Sequence, residues 1–292
     1  MSSPTRLGLA RLSLCIALAL APAAAAWAAD APRTAEQTRA EIGKLNWLKG
    51  PSRADVGDKG KLEVPKGGAF LGESEGSRFL ELTGNLPAPG HSVLTANNWW
   101  AVLSFNPVGY IKDDEKLDPD ALLKTLKDSD GPANEERRKR GLGQLYTDGW
   151  AVPPHYDPQT KYLEWGLRLK AEGDPDPIIN YTVRLLGRSG YESVVLVSSP
   201  ATLDADVKEL KTTLKQFEFN AGERYAEFKP GDHVAEIGLG ALVLGGAAAA
   251  ASKSGFFKAL LAALAAGWKL VVAGVVALFA GIGKLFGRKK QP

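Results

Sequence analysis

From Tyr162 to Leu169 the chain alternates strictly: Leu163, Trp165, Leu167 and Leu169 stand against Tyr162, Glu164, Gly166 and Arg168. A period of two predicts a strand with one buried face. Upstream, Tyr146, Trp150 and Val152 occupy alternate positions of a run from Gln144 to Val152, predicting its partner strand. Pro153, Pro154 and Pro158 punctuate the gap, and Asp157 before Pro158 is a favoured turn start, so His155 is expected in a hairpin loop. Two further strands follow the "EGDPDP" turn: "IINYTVRLLG" from Ile178 and "YESVVLVSS" from Tyr191. Earlier, "NWWAVLSFNPVGYI" (98–111) is strand-like in its aromatic and β-branched content, and "KLEVP" and "GAFLG" are shorter pieces of the same kind. Trp99 and Trp100, being consecutive, must face opposite sides of their strand, and ordinary packing predicts both buried.

Helical spacing appears in three places. "TAEQTRAEIGKLNWLKGP" starts with a capping box, Thr34 and Gln37, carries Ala35, Thr38, Ile42 and Leu45 on one face, and stops at Gly50-Pro51. Asp118-Pro119 starts a helix through "DALLKTLK", and after "DSDGP" a charged stretch runs to Gly141. "DADVKELKTTLKQFEF" places Leu203, Val207, Leu210, Leu214 and Phe217 on one side. Consecutive antiparallel strands followed by an amphipathic helix predict an α+β fold, an antiparallel sheet covered by helices, in one domain over 29–233.

The two ends have a different pattern. Arg6 and Arg11 precede an apolar run from Leu12 to Ala21, then small residues and Ala26-Trp27-Ala28, the arrangement of an export signal over 1–28. Cys15, the one cysteine, lies in that run, so a processed chain has no thiol for disulfides, catalysis or zinc. From Val234 the chain turns apolar again. "VAEIGLGALVLGGAAAAA" (234–251) is near the lower end of a spanning length, and "LVVAGVVALFAGIGKLF" (270–286) is bordered by Trp268-Lys269 and by Arg288, Lys289 and Lys290. These predict a C-terminal membrane anchor over 234–292, as one transmembrane helix, a helical hairpin, or a segment along the inner face of the membrane. Small residues recur every fourth position at Ala241, Gly245 and Ala249 and at Ala273, Ala277 and Gly281, a spacing that permits self-association of such helices.

Charge narrows the partners. The chain has 36 Lys+Arg and 33 Asp+Glu, but the tail from Val234 contributes seven cations against Glu236 alone, and the signal two more. The body from 29 to 233 is therefore acidic, which argues against nucleic acid.

Candidate chemistry is sparse. "GWAVPPHYDPQTKYLEWGLRL" places His155, Tyr156 and Asp157 side by side, the densest cluster of reactive side chains, readable as a binding or catalytic loop or as a turn. Arg137, Arg138, Lys139 and Arg140 form a basic run suited to an acidic partner or lipid headgroup, or to a solvated helix face paired with Glu135 and Glu136. "GESEG" (72–76) matches the G-x-S-x-G nucleophile elbow with Ser74 as nucleophile, but the elbow belongs to a mostly parallel α/β sheet. His91, His155 and His233 lack a paired metal-ligand spacing, and "KDDE" (112–115) lacks a calcium-loop spacing, so neither metal nor cofactor is read here.

The ordered set "GYIKDDEKLDPDALLKTLKD", "ANEERRKRGL", "GWAVPPHYDPQTKYLEWGLRL", "INYTVRLLGRSGYESVVLVSSP" and "RYAEFKPGD" before "GLGALVLGGAAAAA" resembles a bacterial family of uncharacterised membrane-anchored proteins with a domain of unknown function. The resemblance covers nearly the whole processed chain. It implies export, a C-terminal membrane anchor and residence at the inner membrane with the main domain in the periplasm, and it brings no catalytic residues. The expectation is a module that binds a protein, peptide or envelope component; the alternative is an envelope-acting enzyme using the His155/Asp157 loop or Ser74.

Overall fold

The computed structural model describes residues 34–83, 89–97, 99–139 and 143–245. Short runs rich in β-branched and aromatic residues form β1 (Leu48–Lys49), β2 (Ser52–Val56), β3 (Gly60–Val64), β4 (Gly68–Leu71), β5 (Ser92–Ala96), β6 (Trp99–Asn106), β7 (Leu145–Asp157), β8 (Tyr162–Ala171), β9 (Ile178–Leu186), β10 (Tyr191–Ser198) and β11 (Phe217–Phe219). Eight of these make one sheet in the order β1-β4-β5-β6-β10-β9-β8-β7, and β11-β3-β2 make a second. Every neighbouring pair is antiparallel. The expected meander is the run β7 to β10, and the fold is α+β.

The helices are α1 (Ala35–Gly43), α2 (Glu73–Leu82), α3 (Pro119–Lys139), α4 (Leu203–Leu214) and α5 (Leu239–Val243). α1 begins as its sequence requires. The Gln37 amide donates to Thr34 Oγ1 at 3.2 Å, and the Thr34 amide donates to Gln37 Oε1 at 2.8 Å. One face of the large sheet packs against α4 and the small sheet, joining Val183, Leu185, Val194 and Leu196 to Leu203, Leu210 and Leu214 and to Val56, Leu62 and Val64. The other face carries two separate clusters. α1 and α2 close over Val93, Trp100 and Val102, while α3 and α5 close over Leu163, Trp165, Leu167 and Leu169. Trp99 and Trp100 are both buried, one in each layer, as their adjacency demands.

Several expectations are corrected. α4 ends at Leu214, and Phe217 enters β11, opposite Leu62, instead of continuing the helix. α3 is one helix running through Gly131 and Pro132. A proline inside a helix removes one hydrogen bond; here contacts with β7 on both sides of it hold the helix. On one side Asp130 accepts from the Thr147 amide at 2.7 Å and from its hydroxyl at 2.9 Å. On the other, buried Asn134 accepts from the Leu145 amide at 2.8 Å and donates to its carbonyl at 2.7 Å. β7 is an edge strand, and these side chains occupy backbone groups that an edge otherwise leaves open to another chain. Asn134→Ala leaves both buried Leu145 groups unpaired, and a loss of about 2–3 kcal/mol is expected in urea unfolding. A change under about 0.5 kcal/mol would show that water or a shifted helix replaces the amide.

The largest correction concerns the first apolar run of the tail. Val234 bridges Tyr110, and Ile237, Leu239, Leu242 and Val243 are buried against α3 and β8, so this stretch is part of the body's core up to at least Val243. Among the described residues no helix is long and apolar enough to cross a membrane. Residues 1–33, with the expected signal and Cys15, and residues 246–292, with the second apolar run, its small-residue stripe and the basic end, lie outside the described residues.

Candidate functional site

The hairpin separates His155, Tyr156 and Asp157 instead of gathering them. β7 runs through all three, so His155 is a strand residue and not a loop residue; its register partner is Glu164, while Tyr156 faces Leu163 and Asp157 faces Tyr162. The turn lies beyond them. Asp157 accepts from the Gln159 amide at 2.9 Å and from the Thr160 hydroxyl at 2.9 Å, which commits its carboxylate to closing the hairpin. β-Bulges between Thr147 and Gly149, and again between Trp150 and His155, break the period of β7. Tyr146, paired with Lys170, is therefore 43% exposed, whereas Trp150, paired with Leu167, turns to the opposite face and donates to the Pro119 carbonyl at 3.0 Å.

On the α4 side of the sheet the strands assemble a charged node around Glu164. Its side chain is only 4% exposed, yet it has three partners. His155 Nε2 lies 2.7 Å and Lys211 Nζ of α4 2.6 Å from Oε1, and the Tyr181 hydroxyl of β9 donates to Oε2 at 2.6 Å. Burial pushes the Glu164 carboxyl up, but the Lys211 and Tyr181 hydrogen bonds and the charges of Lys211 and His155 outweigh it, holding the group below the ordinary carboxylate value. Burial first, then the hydrogen bond to Glu164 and its charge, push the Tyr181 phenol up, so it stays a donor. Above the carboxylate, His155 and Lys211 are about half exposed. Next to them on the same face stand Arg168 and Lys170, 2.6 and 2.9 Å from Asp148. The result is a surface of paired charges on β7, β8 and α4, with Arg168, Lys170 and Lys211 outermost over Asp148 and the buried Glu164.

A second node forms on the opposite face, around Asp113 of the "KDDE" segment. Tyr156 donates to Asp113 at 2.7 Å and Lys161 lies 2.8 Å away, with its ammonium also over the Tyr225 ring. Burial pushes Asp113 up, but Lys161 and Tyr156 bring it down overall. Glu115 of the same segment accepts from the Gly240 amide at the start of α5. "RYAEFKPGD" is a clamp: Asp232 receives Arg188 Nε at 2.7 Å and Nη2 at 2.6 Å, and Tyr225 donates to the Ile111 carbonyl. Together with the Tyr110–Val234 bridge, these contacts fasten the polypeptide that leads into the apolar tail. Chiefly the Arg188 bonds pull Asp232 down to about 2. Its folded pKa is depressed, so its contribution is fully present above about pH 4 and is lost as pH falls through about 2. Asp232→Asn is expected to flatten acid unfolding in that window, measured by circular dichroism; an unchanged acid limb would show that the pair does not hold the segment.

The other candidates stay apart from His155. Arg137 donates to the Gly143 carbonyl, Lys139 pairs with Glu135 at 3.6 Å, and Arg138 is exposed, all in the last turn of α3, where cations suit the helix C-terminus. That turn lies near the Leu145 end of β7, whereas His155 lies near the other end; Arg140 is outside the described residues. Ser74 is exposed in the first turn of α2, after a strand that belongs to an antiparallel sheet. The glycine two residues on has a packing reason, since a Cβ at Gly76 would collide with the His91 carbonyl. His233 packs on Gly109, and its carbonyl accepts from Tyr110. Among the described residues no group of three His, Cys, Asp or Glu side chains forms a metal site.

Glu164 was hidden in the sequence as one polar member of an alternating strand. Only the register, with Tyr181 one strand over and Lys211 on the covering helix, reveals it.

Fold and nodes thus define an α+β domain with polar networks on both faces of an antiparallel sheet. The chain belongs to the family described as "Protein of unknown function (DUF2167)", whose model matches residues 48–279. No curated protein matches the sequence. Among solved structures, that of cyanobacterial PsbP (CyanoP) from Synechocystis sp. PCC 6803 is similar at a TM-score of 0.36 and 14% identity, over 58% of this chain and 92% of that one.

Proposed function

We propose that the protein is an exported α+β binding module, tethered to the inner membrane by its C-terminal apolar residues and holding its body in the periplasm. The observation that carries this reading is the way the body grips the chain entering the tail, through Arg188–Asp232, Tyr110–Val234 and Glu115–Gly240. The packing of the body thus extends along the chain to Val243, shortly before the remaining apolar residues begin. The surface best suited to a partner is the outer face of β7 and β8 with the adjoining edge of α4, where Arg168, Lys170 and Lys211 present cations and His155 a half-exposed imidazole to a protein, peptide or envelope component. Ala241 of the first small-residue stripe packs against the body's core, so a route to self-association is left to the second, Ala273, Ala277 and Gly281.

Cross-linking in intact cells, with a control carrying only the tail, tests this. A partner captured by the full protein and lost on Lys211→Glu with Arg168→Glu supports the reading; the same capture by the tail alone, or by the double variant, contradicts it. The 2.7 Å contact between His155 and Glu164 supports a second reading, acid–base chemistry at the envelope. In that case His155→Ala abolishes function with an unchanged melting curve, while Asp157→Ala acts only through stability.

A further inference from the structure

Between the two helical clusters, the central strands carry a strip that is polar where a sheet under helices is normally aliphatic. β9 contributes Asn180, Thr182 and Arg184, β10 Ser193 and β6 Ser104, all on the face shared with Trp165 and Tyr191. Arg184 is flanked by aromatic rings from both neighbouring strands. Its guanidinium carbon lies 5.4 Å from the Trp165 ring centre on β8 and 5.2 Å from the Tyr191 ring centre on β10. One end of the fork is engaged, since Nη1 donates to Ser193 Oγ. Nε is buried with no acceptor, and two residues before Thr182 the Asn180 Oδ1 is likewise buried with no donor.

Among the described residues no acid serves this cation on its own face. Its register partners are Leu163 on β8 and Ser193 on β10, and the neighbouring positions of the face hold Thr182, Leu186, Trp165, Tyr191 and Val195. Glu192 is adjacent in sequence to Ser193 but points to the other side of the sheet. A buried charge is ordinarily paired, and this one has two rings and a hydroxyl instead. The strip is not sealed, because Ser104, Asn180, Arg184 and Val195 are only part-buried.

We propose that Arg184 anchors a binding subsite for a ligand carboxylate on this strip. The fork edge formed by Nε and Nη2 is the side that takes two parallel hydrogen bonds from a carboxylate. A planar carboxylate lies in the plane of the guanidinium between the flanking rings, whereas a tetrahedral phosphate projects oxygens out of that plane toward them. Asn180, on the same face of the same strand, supplies an acceptor further along for a donor on the same ligand.

The test uses the full chain in nonionic detergent, labelled with 13C,15N-arginine, with the Arg184 Nε–Hε resonance assigned by through-bond correlation to its own backbone amide. Acetate and citrate, titrated against chloride at matched ionic strength, are expected to shift that resonance saturably, with phosphate acting more weakly. The wild-type signal alone reads binding, so the test does not depend on the variant's folding. Total tryptophan fluorescence, to which Trp165 beside the fork contributes, is expected to follow the same curve, and Arg184→Lys to weaken binding by at least about tenfold, because an ammonium cannot form the planar pair of hydrogen bonds. An Hε resonance indifferent to acetate and citrate would overturn the subsite. Phosphate binding as tight as carboxylate would overturn the carboxylate assignment, and undiminished binding by Arg184→Lys would overturn the role of the fork.

Discussion

Glu164→Ala is expected to lower the stability of the body by about 3 kcal/mol, the largest loss from any polar substitution in the β7–β10 meander. The loss has two parts. Removing the carboxylate leaves the Tyr181 hydroxyl buried without its acceptor, and an unsatisfied buried group of that kind costs about 1–3 kcal/mol. A small void beneath α4 adds to it. The outer partners contribute little, because His155 and Lys211 are about half exposed and regain water when the carboxylate goes. Accordingly His155→Ala is expected to cost under about 1 kcal/mol, and Tyr181→Phe combined with Glu164→Leu to recover most of the loss. Urea unfolding monitored by tryptophan fluorescence measures all three. A loss below about 1 kcal/mol for Glu164→Ala would mean that the node is ornamental to the fold.

Glu192→Leu is expected to act in the opposite direction, raising stability by about 1–3 kcal/mol at neutral pH. Glu192 is 1% exposed, and both carboxyl oxygens are buried without a hydrogen-bond partner. Burial, and next the charge of Glu73, push its pKa well above the ordinary carboxylate value, against the weaker opposing pull of Arg184. The unfolded chain therefore releases this proton at lower pH than the folded one. Its stability contribution is fully present below the ordinary carboxyl range and is lost as pH rises toward the folded pKa, by about 1.4 kcal/mol per pH unit within that window. The advantage of Glu192→Leu over the natural protein should accordingly be larger at pH 8 than at pH 5. An advantage that shrinks with pH, or a destabilised variant, would show that Glu192 finds a partner in solution. Glu192 and Arg184, on opposite faces of neighbouring strands, are both costly to fold around, and such positions are where proteins commonly exchange stability for function.

Much of this architecture is legible in the chain. The period of two in Leu163–Leu169, the apolar stripe of α4, the Thr34 capping box and the opposed Trp99 and Trp100 all reappear, because each is a local consequence of backbone geometry. What is not legible depends on residues far apart. The pairing of Phe217–Phe219 with Gly60–Leu62 joins short segments whose own patterns carry no partner information. The continuity of α3 through Pro132 rests on Asp130 and Asn134 meeting β7. Leu239–Val243 is apolar on all sides, and such a helix is equally at home in a membrane or in a core; here it is in the core. His155, Tyr156 and Asp157 read as a cluster because they are adjacent. In a strand, adjacency sends side chains to opposite faces, so His155 meets Glu164 while Tyr156 meets Asp113.

The most direct test of the tethered periplasmic module exploits Cys15, the one cysteine, which lies within the signal-like first 28 residues. A single cysteine placed at exposed Thr212 on α4 can be probed in cells with a membrane-impermeant maleimide after the outer membrane is opened. A tethered periplasmic module is labelled before the inner membrane is broken, on protein that sediments with membranes through carbonate washing and is released when residues 246–292 are removed. Labelling only after lysis, or a full-length protein that carbonate extracts, would contradict it.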